Sequence, residues 1–118
     1  MAPKFATISK SDPAENQTYS KSAHGNGSVY IFKWENPHGP HGPVRATNWK
    51  IWIGASAGGG EKYKTQNPIP DNGASVISDR NVLSTALTIG TSCWVTPKYQ
   101  KSDGTWNDGT PTKFTVVT

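Results

Sequence analysis

Three segments of the chain alternate apolar and polar residues with a period of two, the signature of half-buried β-strands. In SVYIFKWE (28–35), Tyr30, Phe32 and Trp34 share one face, and Val29, Ile31 and Lys33 the other. In TNWKIWIG (47–54), Trp49, Ile51 and Ile53 point one way, Lys50 and Trp52 the opposite way. In TSCWVTPKYQ (91–100), Cys93 and Val95 lie on one face, and Trp94, Thr96 and Lys98 on the other. Pro97 has no N–H to give a neighbouring strand, so a bulge or an unpaired side is expected there. Shorter strands are predicted at 5–9, 61–65 (an edge), 74–78, 82–88 and 113–118. KSDPAENQ, NPHGPHGPV, Asp71-Asn72-Gly73 and SDGTWNDGTP between them read as loops and turns. No helical period of useful length competes.

About seven short strands joined by turns predict an all-β fold: one antiparallel β-sandwich, with residues 1–118 as a single domain. The 118 residues suffice for one core but not for an open α/β sheet carrying a catalytic triad. Only 33% of residues are hydrophobic, so the core must rest on few, bulky groups drawn from five Trp, four Tyr and three Phe.

Charge narrows the partners. Twelve Lys and Arg against eight Asp and Glu give a net charge of +4. The basic residues are scattered singly along the chain, without the stripe that phosphate neutralisation needs, so nucleic acid is not an expected partner. Weak attraction to anionic polymers or surfaces remains. Cys93 is alone, which excludes an internal disulfide and a cysteine-based metal site, and predicts a small buried thiol. No apolar run reaches membrane-spanning length. The N-terminus MAPKFATISK has no hydrophobic signal core. The expectation is a chain without a signal peptide, working outside a cell or on a virion surface, its signal already removed or its release by another route such as lysis.

The succession SVYIFKWENP, NWKIWIGASAGGGEKY, LTIGTSCWV, DGTW and TKFTVV resembles the immunoglobulin-like or fibronectin type III-like modules of bacterial extracellular or phage proteins. The resemblance implies that Trp34 is the core tryptophan of the second strand, and Ile51 and Ile53 core positions of the third. Leu87 with Gly90 would form the corner before the sixth. The tyrosine often found at that corner is absent, Cys93 or Trp94 standing in its place. Such modules imply interaction or spacing roles rather than catalysis.

The chemical motifs weigh the same way. GASAG (54–58) matches G-x-S-x-G, the nucleophile elbow of α/β-hydrolases. An elbow needs a helix after its serine, yet EKYKTQNPIP has two prolines and no helical apolar period. His24, His38 and His41 all precede Ser56, the reverse of the hydrolase order. Ser56 therefore reads as a turn residue, in a run that also lacks the lysine of a phosphate loop. His38 and His41, even with His24, offer too few convergent donors for zinc. Asp103, Asn107 and Asp108 depart from calcium-loop spacing and read as hairpin turns. Glu15, Glu35 and Glu61 lie in or beside polar loops, away from any apolar pocket that would make an acid–base pair. Asn16-Gln17-Thr18 and Asn26-Gly27-Ser28 match the glycosylation pattern, which is frequent by chance. No catalytic residue, metal site or cofactor is expected.

What remains is an aromatic surplus. If Trp49, Ile51 and Ile53 face the core, alternation sends Trp52 outward beside Lys50. If Cys93 and Val95 face the core, Trp94 points outward with Thr96 and Lys98. The third and sixth strands of such a sandwich are neighbours, so Trp52 and Trp94 share an outer face with Lys50 and Lys98 at its rim. Trp106 adds a third ring, and Tyr63, which closes the glycine-rich signature, is counted with this candidate ligand-binding set. Grouped exposed aromatics mark binding surfaces and suit sugar rings or a protein neighbour. Two functions follow. One is a non-catalytic module binding carbohydrate or a cell-surface polymer. The other is a structural or decoration subunit of a virion or secreted assembly, whose same face packs on a neighbouring or identical chain.

Overall fold

The computed structural model describes residues 13, 15–36 and 46–118. The expected strand at 5–9 and the loop carrying His38 and His41 lie outside these residues. The described elements, in chain order, are β1 (Gln17–Ser20), a helical turn α1 (Lys21–His24), β2 (Val29–Glu35), β3 (Ala46–Gly54), β4 (Tyr63–Lys64) and β5 (Ile69–Pro70). They continue with β6 (Val76–Leu83), a 3₁₀ turn at Ser84–Ala86, β7 (Ser92–Lys101), β8 (Trp106–Asp108) and β9 (Thr112–Val117).

The strands form two facing sheets. The larger runs β1-β9-β7-β3-β4, with β5 joining β3 and β8 joining β7; the smaller is the pair β2-β6. The all-β expectation holds, with one correction to a purely antiparallel sandwich: β1 runs parallel to β9. Alternation predicts no strand here, and only Gln17 falls within the expected loop KSDPAENQ. Asn16, at a left-handed φ of 57° that asparagine tolerates, turns the backbone so that its N–H reaches the Lys113 carbonyl at 2.8 Å. The chain then continues alongside β9, and Tyr19 becomes fully buried. Its hydroxyl donates to the Ile31 carbonyl at 2.6 Å, joining the two sheets.

The predicted strands 74–78 and 82–88 are corrected: β6 runs from Val76 to Leu83, joining parts of both, and Ser84–Ala86 form a 3₁₀ turn in place of strand. β6 passes straight through the polar triplet Asp79-Arg80-Asn81 because Asp79 turns inward and is satisfied there. Its carboxylate accepts hydrogen bonds from the Tyr63 hydroxyl at 3.0 Å, the Thr65 hydroxyl at 2.8 Å and the Asn81 N–H at 2.8 Å. A β-bulge adds one residue to β6 opposite Tyr30–Phe32, so that Asp79 and Val82, three residues apart, both point inward. β8 likewise replaces part of an expected loop, pairing with the second half of β7.

Pro97 sits where its missing N–H does least harm. β7 pairs with β9 up to Val95 and with β8 from Lys98 onward, so Pro97 falls at the gap between these partners. Its carbonyl still accepts from the Gly109 N–H at 2.7 Å on that side.

The core matches the alternation read from the sequence. Tyr30, Phe32 and Trp34 from the small sheet meet Trp49, Ile51, Ile53, Cys93, Val95, Tyr99, Phe114 and Val116 from the large one, all buried. Ring centroids lie 6.2 Å apart for Trp34 and Trp49, 6.0 Å for Trp49 and Tyr99, and 5.5 Å for Phe32 and Phe114. The turn Asp71–Gly73 locks this end: Asp71 Oδ1 accepts from the Trp49 indole at 2.9 Å and from the Asn36 amide at 2.8 Å. Leu87 is buried and Gly90 has a φ of 89° at the corner before β7.

Candidate functional site

The outer face of the large sheet is set by the residues that alternate with the core positions. β3 and β7 pair antiparallel with Lys50 opposite Lys98, Trp52 opposite Thr96 and Gly54 opposite Trp94. Trp52 and Trp94 are therefore diagonal neighbours, a relation that separates two residues by about 7–8 Å. β8 adds Trp106 opposite Gln100 and Asp108 opposite Lys98. β9 adds Lys113 opposite Trp94, and β4 adds Lys64 opposite Trp52. Five residues of the expected ligand-binding set (Lys50, Trp52, Trp94, Lys98 and Trp106) thus meet on one face. All five are half-buried rather than fully exposed.

Ammonium groups account for much of that cover. Lys64 Nζ lies 4.1 Å and Lys98 Nζ 3.9 Å from the Trp52 ring centroid, and Lys50 Nζ lies 4.0 Å from the Trp106 centroid. Such contacts are worth about 0.5–1 kcal/mol at exposed sites and about 2 kcal/mol when desolvated. The Lys98 side chain is 12% exposed, and it also donates to Asp108 Oδ1 at 2.7 Å. The backbone covers Trp52 further: a Cβ placed on Gly60 would stand 2.8 Å from Trp52 Cε3, closer than any side chain tolerates. Among the described residues no cation or second ring stands over Trp94, and its cross-strand partner Gly54 has no side chain. Gly54 must be glycine, since its Cβ would meet the Gly59 carbonyl carbon at 2.6 Å.

Thr96 lies at the centre of this face, between Trp94 and Lys98 on β7. It is fully buried, and its hydroxyl has no hydrogen-bond partner. An unsatisfied buried hydroxyl costs about 1–3 kcal/mol.

The glycine-rich run beside Trp94 is a turn, with Ser56 exposed and its carbonyl accepting from the Gly59 N–H at 3.0 Å. The Glu61 carboxylate closes this turn by accepting the Ala55 N–H, and that bond holds the Glu61 carboxyl below its ordinary range. Asp103 accepts from the Thr105 N–H and hydroxyl at 2.9 and 2.7 Å within its own turn. Asp108 is engaged by Lys98. The His24 ring stacks on Tyr19 at 4.3 Å between centroids. Among the described residues no three His, Cys, Asp or Glu side chains converge as metal donors.

Tyr63 does not join the outer face. It is buried on the core side, where it donates to Asp79, and it lines a cleft of about 610 Å³ with Thr65, Gln66, Asn67, Asp79 and Arg80. Burial, and then the Asp79 carboxylate, push its hydroxyl well above the ordinary tyrosine range. Alternation carries the correction. Tyr63 pairs with Ile53, a core residue, so Lys64 next to it faces outward. The same reading would have found Lys64. Lys113 needed the pairing of β9 with β7.

Comparison with protein-family models and with curated proteins finds no match. Two solved structures share the fold. CopC from Methylosinus trichosporium OB3b superposes with a TM-score of 0.52 at 17% identity, covering 92% of this chain and 89% of that one. An alpha-L-rhamnosidase from Dictyoglumus thermophilum gives a TM-score of 0.55 at 13% identity, covering 92% of this chain and 12% of that one. At these identities the likeness is one of fold: a β-sandwich.

Proposed function

We propose that this protein is a non-catalytic surface-interaction module of the immunoglobulin-like type, holding carbohydrate or a cell-surface polymer on the outer face of its large sheet. The pairing of β2 with β6, and of β3 with β7 and β7 with β9, supports that kinship, because immunoglobulin-like sandwiches pair their strands in this order. No helix among the described residues is long and apolar enough to cross a membrane. The setting that goes with this reading is the exterior of a cell or of a virion.

One observation carries the proposal. The core is complete without Trp52, Trp94 and Trp106, yet all three stand on a single face. All three indoles are half-buried, so each keeps some apolar surface at the solvent, and three such rings on one face gather apolar area that the core does not need. Flat rings rimmed by polar groups suit the apolar faces of sugar rings.

The test is a glycan array of the native protein and of Trp94→Ala, alongside thermal melts and light scattering after size exclusion. The proposal expects glycan binding by the native protein, its loss in the variant, and an unchanged melt. A native protein that binds no glycan, together with an oligomer that Trp94→Ala breaks into monomers, would assign the face to a neighbouring chain instead.

A further inference from the structure

Resting on that reading, we infer that the polymer is acidic: a polysaccharide whose carboxylate or sulfate groups are held by Lys50, Lys64, Lys98 and Lys113, with one sugar ring seated on Trp94. The strand positions of the outer face carry these four lysines and one carboxylate, Asp108, while the Glu61 carboxylate reaches over Gly54 from the glycine turn and is engaged there by the Ala55 N–H. Along the sequence the lysines are far apart, and only strand pairing gathers them.

Their arrangement is unfavourable for the fold alone. Lys50 and Lys98 are directly opposite each other on adjacent strands, a like-charge pairing that destabilises a sheet. Asp108 reaches Lys98, leaving the charge of Lys50 to its contact with Trp106. A bound anion between these strands would relieve the repulsion.

The indoles give the lysines a fixed geometry. With Lys64 and Lys98 on Trp52 and Lys50 on Trp106, three long side chains are already ordered before a ligand arrives, which lowers the entropy lost on binding. Trp52 and Trp106 thus act as props for cations, and Trp94 is the ring left open for stacking. Single-stranded nucleic acid fits this face less well. It stacks successive bases on successive rings, and two of the three rings here are occupied by ammonium groups.

Affinity measured against immobilised polygalacturonate, heparin, neutral dextran and an oligothymidylate tests the inference. The native protein should bind polygalacturonate and heparin at low salt and lose at least tenfold in affinity between 50 and 300 mM sodium chloride, as a lysine-held anion requires (roughly the behaviour of several released counterions). The variant Lys64→Gln/Lys113→Gln leaves the Lys98–Asp108 pair and the core untouched. It should stay folded, with a melting temperature lowered by no more than a few degrees for the lost Lys64–Trp52 contact, and bind the acidic polymers about tenfold more weakly. Equal, salt-insensitive binding of dextran would overturn the acidic specificity and leave the carbohydrate reading standing. Failure to bind any polysaccharide would overturn both. Tighter binding of the oligothymidylate than of either acidic polymer would move the face to nucleic acid and overturn the inference.

Discussion

The two faces of the large sheet are built from the same strands, residue by residue in alternation, and they hold their tryptophans in opposite ways. Inside, Trp49 is fully buried between Trp34 and Tyr99, with its indole N–H bonded to Asp71. Outside, Trp52 is half-buried and its ring carries the ammonium groups of Lys64 and Lys98. One ring is fixed by close packing, which is steep in distance and intolerant of change. The other is held at the surface by two cation–π contacts, which are weaker than close packing. The same residue type on the same strand thus packs the core at position 49 and holds cations on the surface at position 52.

Removing one ring from each face gives the largest expected contrast. Trp49→Ala should cost about 3–5 kcal/mol in chemical denaturation, the usual range for emptying a tryptophan site in a core. Trp94→Ala should cost less than about 1 kcal/mol, since it leaves no enclosed cavity. Trp52→Ala should fall between them, because that ring also packs on Gly60 and the lysines. Equal losses at 49 and 94 would erase the distinction between the faces.

A second, smaller effect concerns how polar groups survive on the inner side. Asp79→Ala removes the acceptor of the Tyr63 and Thr65 hydroxyls. Leaving the buried Tyr63 hydroxyl unpaired, while Thr65 keeps its bonds to the Ile51 backbone, should cost about 1–3 kcal/mol, read from urea unfolding. A neutral result would show that water replaces the carboxylate and that this end of the sandwich is looser than the packing implies.

Alkali should then act through the inner face. Burial raises the hydroxyls of Tyr63 and Tyr99, the nearby carboxylates of Asp79 and Asp108 adding to it. In the unfolded chain these tyrosines lose their protons near pH 10, while in the folded protein they keep them to higher pH. Their contribution is therefore complete below about pH 10 and is lost as pH rises beyond it. The melting temperature should fall between pH 10 and 11.5, and Tyr63→Phe should make that fall shallower. An identical slope in the variant would show that other groups set the alkaline limit.

The smallest effect lies at the rim of the outer face. Glu61→Gln weakens the bond that closes the glycine turn onto Ala55, and the position is exposed. The melt at neutral pH should stay within error of the native one, while hydrogen exchange at the Ala55 amide quickens. Because the Glu61 carboxyl sits below its ordinary range, the native turn should keep its protection above the usual carboxylate pKa and lose it as pH falls through the lowered value.

Much of the fold was legible in the residues. Period-two alternation placed Tyr30, Phe32 and Trp34 against Trp49, Ile51 and Ile53, and sent Trp52 and Trp94 outward, because successive side chains of any extended strand must alternate sides. The turn at Asp71-Asn72-Gly73 was legible too, since Gly73 supplies the positive φ of 79° that the turn needs. Less legible were short pieces whose strand character comes only from a partner. β1 exists because β9 lies beside it, and β8 because the second half of β7 offers an edge. Asp79 was misread as part of a break because its three hydrogen-bond donors come partly from β4 and the residue after it, beyond any local pattern.

By itself, then, the sequence determined the two sheets' core faces, the surplus of aromatic rings and the turn chemistry, all of which depend on a residue and its near neighbours in the chain. The tertiary structure alone decided which charges meet. Lys50, Lys64, Lys98 and Lys113 are scattered singly in the sequence and read as a weak, diffuse basicity. Strand pairing brings Lys50 opposite Lys98, Lys64 opposite Trp52 and Lys113 opposite Trp94. It separates Tyr63 from them by one step of alternation. Coulomb and cation–π energies fall with distance in space, not in sequence, so only the folded sheet turns those lysines and indoles into one surface.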